Sequence, residues 1–132
     1  MGEKKYLIDS NVAIDYLAKL LPTQALEWLD KLIEVDVNLS VINKIEILSF
    51  QTDSAEEMAL LIEFTGALEL LGINDEIVNQ TIEIRRKYKV KLPDAIIAAT
   101  AIVYGLTLLS RNEKDFKKID GLQFQNPYEI TE

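Results

Sequence analysis

Short apolar, strand-like runs alternate with longer stretches of helical periodicity along this chain. Tyr6-Leu7-Ile8 lies in a first strand predicted over 5–9. Ile14, Leu17, Ala18 and Leu21 then recur at helical spacing, with Asn11 as the candidate cap of a helix from Val12. Pro22 interrupts that run and suits the first turn of a second helix, striped by Ala25, Leu26, Leu29, Leu32 and Ile33. Val37 to Ile42 reads as a second strand, with Asn43 as the cap of the next helix. Ser54 and Glu57 form a capping box ahead of Met58, Leu61, Ile62 and Phe64. Leu68 to Ile73 is a third strand, and a helix runs from Asn74 or Asp75 through Tyr88. Pro93 opens the most apolar helix, Ala95 to Tyr104, which Gly105 ends. A fourth strand over Leu106 to Ser110, a helical turn at 113–118 and a last strand over Leu122 to Gln125 complete the order. Parallel strands need crossover connections, and helices supply them. The expected fold class is therefore α/β, in three α/β/α layers around a central, mostly parallel sheet. With 132 residues and no linker or repeat, residues 1–132 read as a single domain.

Four acidic residues sit where strand-like runs give way to helix starts: Asp9, Glu46, Asp94 and Asp115. In open α/β sheets ligands bind beyond the carboxyl ends of the strands, so all four can reach one edge. Carboxylates gathered there repel one another unless something positive lies between them. Singly, each has a plainer role. Asn43-Lys44-Ile45-Glu46 and Asn112-Glu113-Lys114-Asp115 look like capping boxes, Asp9 suits a helix cap, and Asp94 complements a helix dipole. Asp94 is the least plain, because it opens the helix Ala95-Ile96-Ile97-Ala98-Ala99, which is apolar on almost every side and so central.

Absent residue types narrow the chemistry. The chain has no His and no Cys, which removes the Ser-His-Asp triad, thiol nucleophiles and Cys/His zinc sites. An all-oxygen site selects a hard cation, Mg²⁺ or Mn²⁺, which polarises phosphoryl oxygens and activates water. Gly-rich phosphate loops are missing. A receiver domain would carry adjacent acids after the first strand, and a D-x-D phosphatase fails because position 11 is Asn.

The net charge of −8 argues against binding nucleic acid over the whole surface and favours a basic protein partner. One strip runs the other way, namely Arg85, Arg86, Lys87, Lys89 and Lys91, just ahead of Asp94. It reads either as a guide for a phosphate backbone or as a solvated helix end complementing the dipole. Residues 1–5 do not resemble a signal peptide, and no apolar run is long enough to span a membrane. A cytoplasmic location is the expectation.

Several of these segments resemble the motifs of PIN-domain nucleases. Leu92-Pro93-Asp94-Ala95-Ile96-Ile97-Ala98-Ala99-Thr100-Ala101 is similar to the third acidic motif, and 109–116, around Arg111, Asn112 and Asp115, to the last. Leu7-Ile8-Asp9-Ser10-Asn11 looks like the first and Asn43-Lys44-Ile45-Glu46-Ile47 like the second, with Gly121-Leu122 through Asn126-Pro127 like the C-terminal strand. The resemblance covers the whole chain and is nearest in length to the VapC-type toxins of prokaryotic toxin–antitoxin pairs. It implies Asp9, Glu46, Asp94 and Asp115 as catalytic and metal-binding acids, with Ser10 and Asn112 as polar assistants. Asn112 stands where many relatives carry Asp, and Ser110 where Thr is common. The resemblance further implies RNA cleavage dependent on Mg²⁺ or Mn²⁺, a homodimer, and a VapB-like antitoxin whose basic segment enters the acidic pocket. Arg111 joins the basic strip as a candidate RNA-backbone contact. Two other readings remain: a catalytically weak acidic module that sequesters a basic protein, and a housekeeping RNA-processing nuclease.

Overall fold

The computed structural model describes residues 5–33 and 35–130; residues 1–4, expected to lead into the first strand, lie outside the described residues. Five strands form one sheet: β1 (Tyr6–Ile8), β2 (Val37–Ser40), β3 (Glu69–Leu71), β4 (Thr107–Leu109) and β5 (Gln123–Gln125). Their order is β3-β2-β1-β4-β5 and every pairing is parallel. Among the described residues seven α-helices connect and cover them: α1 (Ser10–Leu17), α2 (Thr23–Ile33), α3 (Val41–Leu48), α4 (Ala55–Ala67), α5 (Asp75–Lys87), α6 (Leu92–Tyr104) and α7 (Glu113–Phe116). A 3₁₀ turn at Pro127–Glu129 comes after β5. The expected three-layer α/β/α architecture is what forms.

The two-residue period of the strands sends side chains to opposite faces. Leu7 of β1 and Leu108 of β4 enter a core with Ile77, Ile97, Ala98 and Phe116. Tyr6 and Ile8 point the other way, into a core with Val12, Leu29, Leu39, Leu61 and Leu109. With Leu7 and Ile8 both fully buried, β1 has no polar face, and each such side chain contributes about 1.5–3 kcal/mol. The small residues Ala95, Ala98, Ala99 and Ala101 let α6 sit close to its neighbours. Successive connections leave β1 toward β2 on one side and reach β4 on the other. The strand order therefore switches between β1 and β4, and the carboxyl ends at such a switch are where open α/β sheets bind ligands.

Of the boundaries that differ from the sequence expectation, three do so because local hydrogen bonding at a helix end intervenes. The second strand stops at Ser40, whose Oγ accepts the Asn43 N–H at 3.0 Å, so Val41 and Ile42 belong to α3 despite their strand propensity. Asn43 is thus inside the helix rather than capping it, and Glu46 falls in the second helical turn, not the first. Of the two candidate caps for the first helix, Asp9 takes the role and Asn11 does not, through the Ser10 N–H at 2.9 Å. It also ends at Leu17 rather than continuing to Leu21. There Lys19 takes φ +59, with Lys19 N–H donating to the Tyr16 carbonyl and Leu20 N–H to that of Asp15. That pair of bonds is a Schellman ending, which glycine fills without the Cβ penalty. Lys19→Gly is expected to raise unfolding stability by about 0.5–1 kcal/mol, read as a higher urea midpoint at unchanged slope. Loss of stability would mean that the left-handed turn carries no strain.

Candidate active site

Asp9 sits at the carboxyl end of the central strand, beside the switch point, and is only 5% exposed. Four donors converge on its carboxylate. Ser10 N–H and Asn43 Nδ2 donate to Oδ1 at 2.9 and 3.1 Å; Ser110 Oγ and Asn11 Nδ2 donate to Oδ2 at 2.7 and 3.3 Å. Burial pushes its pKa up, while these four bonds pull it down. The strand register makes the arrangement possible: Ile8 lies opposite Leu109, so the next residues, Asp9 and Ser110, emerge side by side.

Asn43 is the hub of this network. It is fully buried, and Ser40 Oγ donates to its Oδ1 at 2.7 Å. Its Nδ2 donates to Asp9 and, at 3.0 Å, to Ser10 Oγ. Ser10 Oγ in turn donates to Glu46 Oε1 at 2.7 Å, leaving the exposed Glu46 held at one oxygen. The chain of bonds Asp9–Asn43–Ser10–Glu46 therefore joins two of the four acids across β1, α1 and α3.

Asp94 lies in the first turn of α6, half-buried, after a helix start with Pro93 and no side-chain cap. Its pKa is pushed up to about 6, first by burial and then by the negative charges of Asp9, Asp115 and Glu46, with Lys91 opposing. The other three acids thus all act on this one carboxylate. Asp115 is held by Asn112, whose Nδ2 donates to its Oδ2 at 2.9 Å and whose Oδ1 caps its N–H. Ser110 Oγ accepts the Asn112 N–H at 3.0 Å, which ties that loop back to Asp9. The buried Phe116 anchors α7 beneath it.

The basic residues part company. Arg111 is engaged by Asp15 at 2.9 Å and stacks 5.4 Å from the ring centre of Tyr128, whose hydroxyl also donates to Asp15. Lys87 pairs with Asp120 at 3.2 Å. Arg85, Lys89 and Lys91 line a groove that reaches Asp115, whereas Arg86 is exposed and does not line it.

Ser40, Asn43 and Ser110 were not anticipated as site residues from the sequence. Asn43 and Ser110 do lie inside the PIN-like motifs, and each of the three is a polar residue ending or closely following an apolar run, but neither signal says which side chains will meet. Among the described residues no three carboxylates close into a ligating cage, so the acids form a shared negative field rather than a preformed chelate. Their donor chemistry still fits a hard cation. Every candidate ligand is oxygen, and burial first and then the charges of Asp9, Asp115 and Glu46 disfavour the charged form of Asp94, a penalty that a cation would relieve.

The sequence profile of the PIN domain matches residues 6–122, nearly the whole described chain. The chain belongs to the PIN-domain family. This PIN domain is 30% identical over 122 residues to Ribonuclease VapC1 of Methanocaldococcus jannaschii, covering 89% of this chain and 82% of that protein. Among solved structures it resembles the toxin–antitoxin complex of Klebsiella pneumoniae, with TM-score 0.76 and 28% identity over 96% of this chain and 100% of that one. FitAcB of Neisseria gonorrhoeae is similar at TM-score 0.77 and 25% identity, over 95% and 99% of the two chains. The DNA-bound VapBC of Salmonella typhimurium shares the fold at TM-score 0.81 and 22% identity, over 95% and 99%.

Proposed function

We propose that this chain is a divalent-metal-dependent endoribonuclease, the toxin of a VapBC-type pair. The observation that carries the reading is the field at Asp94, one carboxylate raised to about 6 by burial and three others at the switch point of a PIN fold. The likeness to a VapC ribonuclease supports it. Asp9, Asp94 and Asp115, with Glu46, would hold Mg²⁺ or Mn²⁺. The ion, when bound, supplies Lewis acidity at a phosphoryl oxygen and lowers the pKa of water.

The chain's own residues do the rest. The four donors on Asp9 fix its carboxylate, so it does not swing as charge changes around it. Asn112 orients Asp115 in the same way. Glu46, anchored at Oε1 by Ser10, offers Oε2 to accept the proton of an attacking water. Ser10 and Asn112 are positioning residues in this scheme.

The partners follow from surface character. An antitoxin with a basic segment would neutralise the acid field, and a toxin–antitoxin complex and a DNA-bound VapBC are among the similar structures. Leu17, Leu26 and Leu60, on α1, α2 and α4, line one groove of about 600 Å³ and would offer apolar surface for a homodimer. Among the described residues no helix is long and apolar enough to cross a membrane, and we place the protein in the cytoplasm.

Protein stripped of copurifying partners should cut RNA with Mg²⁺ or Mn²⁺ and stop when a chelator is added. Persistent inactivity with every divalent ion supplied would replace this reading with the acidic binding module. Activity confined to one ribosomal or transfer RNA precursor, together with normal growth on overexpression, would favour the housekeeping nuclease.

A further inference from the structure

The cations near the four acids divide by partner. Lys87, Arg111 and Lys117 are paired with Asp120, Asp15 and Glu113 at 3.2, 2.9 and 3.5 Å. Arg85, Lys89, Lys91, Lys114 and Lys118 have no ion-pair partner among the described residues. All five line a single groove of about 520 Å³, whose only acidic member is Asp115. Three elements build it: the last turn of α5, the link 88–91, and α7 with the residues just after it. Lys118 Nζ donates to the Lys89 carbonyl at 3.0 Å and fastens two of the walls together.

This placement is costly in isolation. Five like charges facing one space repel each other, and Asp120, Asp15 and Glu113 are engaged by other cations. The groove is also the exception on a chain of net charge −8, so a polyanion approaching elsewhere meets repulsion. Two residues tie it to the four acids. Asp115 belongs to both, and Lys91, which lines the groove, is close enough to Asp94 to oppose the rise in its pKa.

We propose that this groove carries the sugar–phosphate backbone of single-stranded RNA toward the four acids, with Lys114 and Lys118 as phosphate contacts beside Arg85, Lys89 and Lys91. The inference rests on RNA being the substrate. Val90 is the one uncharged residue in the lining, and no aromatic ring or side-chain amide faces the space. Such a wall grips phosphates but reads no base. Arg86 and Lys87 drop out of the RNA path, and so does Arg111, which is tied to Asp15 and Tyr128.

The test is binding of a labelled single-stranded RNA oligomer by fluorescence anisotropy in chelator, so that nothing is cut, alongside cleavage kinetics in Mn²⁺. Lys114→Gln with Lys118→Gln should weaken binding equally for oligomers of different sequence and lower the slope of log K against log salt by about 1.4, roughly 0.7 per lost contact. In cleavage, KM should rise severalfold with kcat nearly unchanged. Lys87→Gln is the control and should leave both as they are. Because Lys118 also fastens Lys89, Arg85→Gln with Lys114→Gln repeats the measurement without disturbing that bond. Unchanged affinity and KM in both double variants, or an equal loss in Lys87→Gln, overturns the groove. Groove-dependent binding by a protein that cuts no RNA would uphold the groove and refute only the nuclease reading.

Discussion

Asp94→Asn is expected to lose RNA cleavage by roughly a thousandfold or more while making the protein more stable at neutral pH. The two effects share a cause. Asp94 is half-buried among Asp9, Asp115 and Glu46, and its pKa stands at about 6. The sign comes from proton binding. Between its ordinary value of 3.8 and about 6 the folded chain holds a proton that the unfolded chain has released. Stability therefore falls as pH rises through that window, and the whole penalty is present above it. The amide keeps the shape and removes the charge. Its gain should be absent near pH 4 and fullest above pH 7, amounting to a few degrees in Tm because half-exposure screens part of the field. Thermal melts at both ends of the window, set beside initial rates on RNA, measure the pair. Wild-type cleavage by the variant would sink the assigned site, and an equal gain in Tm at both pH values would sink the electrostatic explanation. A residue that costs stability and is kept for chemistry is the expected signature of an active site.

The second large effect is expected at Asn43, a residue that touches no substrate in the proposed scheme. Truncation by Asn43→Ala removes partners from Asp9 Oδ1, Ser10 Oγ and Ser40 Oγ at once, at a fully buried position. The expected loss is about 2–4 kcal/mol in urea unfolding, since buried groups left unsatisfied cost more than an average hydrogen bond returns. Asn43→Asp is nearly isosteric but turns a carboxylate oxygen toward Asp9 where a donor stood. It should be still less stable at neutral pH and recover part of the difference in acid. Glu46→Gln serves as the contrast, because Gln Oε1 can still accept from Ser10 on the surface. That variant should unfold like wild type and yet cut RNA poorly. If Asn43→Ala unfolds like wild type, the hub holds nothing together.

Much of the fold was legible because its main determinant is local. Tyr6-Leu7-Ile8 is apolar without a gap, and a strand buried on both faces needs that. Gly105 after Ala95–Tyr104 does take a left-handed φ, +68, and Asn74 does cap α5 at the Ile77 N–H. Where expectation and structure part, two local rules competed. Val41-Ile42 has strand propensity, but Ser40 offers an oxygen to a free N–H and turns the chain first. Asn43 and Glu46 fit a capping box by spacing alone, and that spacing hid the more consequential role of Asn43.

For the site, residue types and positions along the chain named the acids. With His and Cys absent and acids recurring near strand ends, the sequence alone pointed to an all-oxygen site at one edge of a mostly parallel sheet. What only the tertiary structure decided is which side chains meet. Asp9 and Ser110 are 101 positions apart and become neighbours through the β1–β4 register. Asn43 reaches Asp9 across 34 positions because α3 packs beside α1. The same holds for the cations, where Arg111 and Lys91 look alike in sequence but one is bound to Asp15 and the other faces the groove. Burial and charge partnership depend on distances that close only when the chain folds. Composition and spacing therefore narrowed the chemistry open to the proposed site, and the packing of strands and helices determined which of its side chains meet.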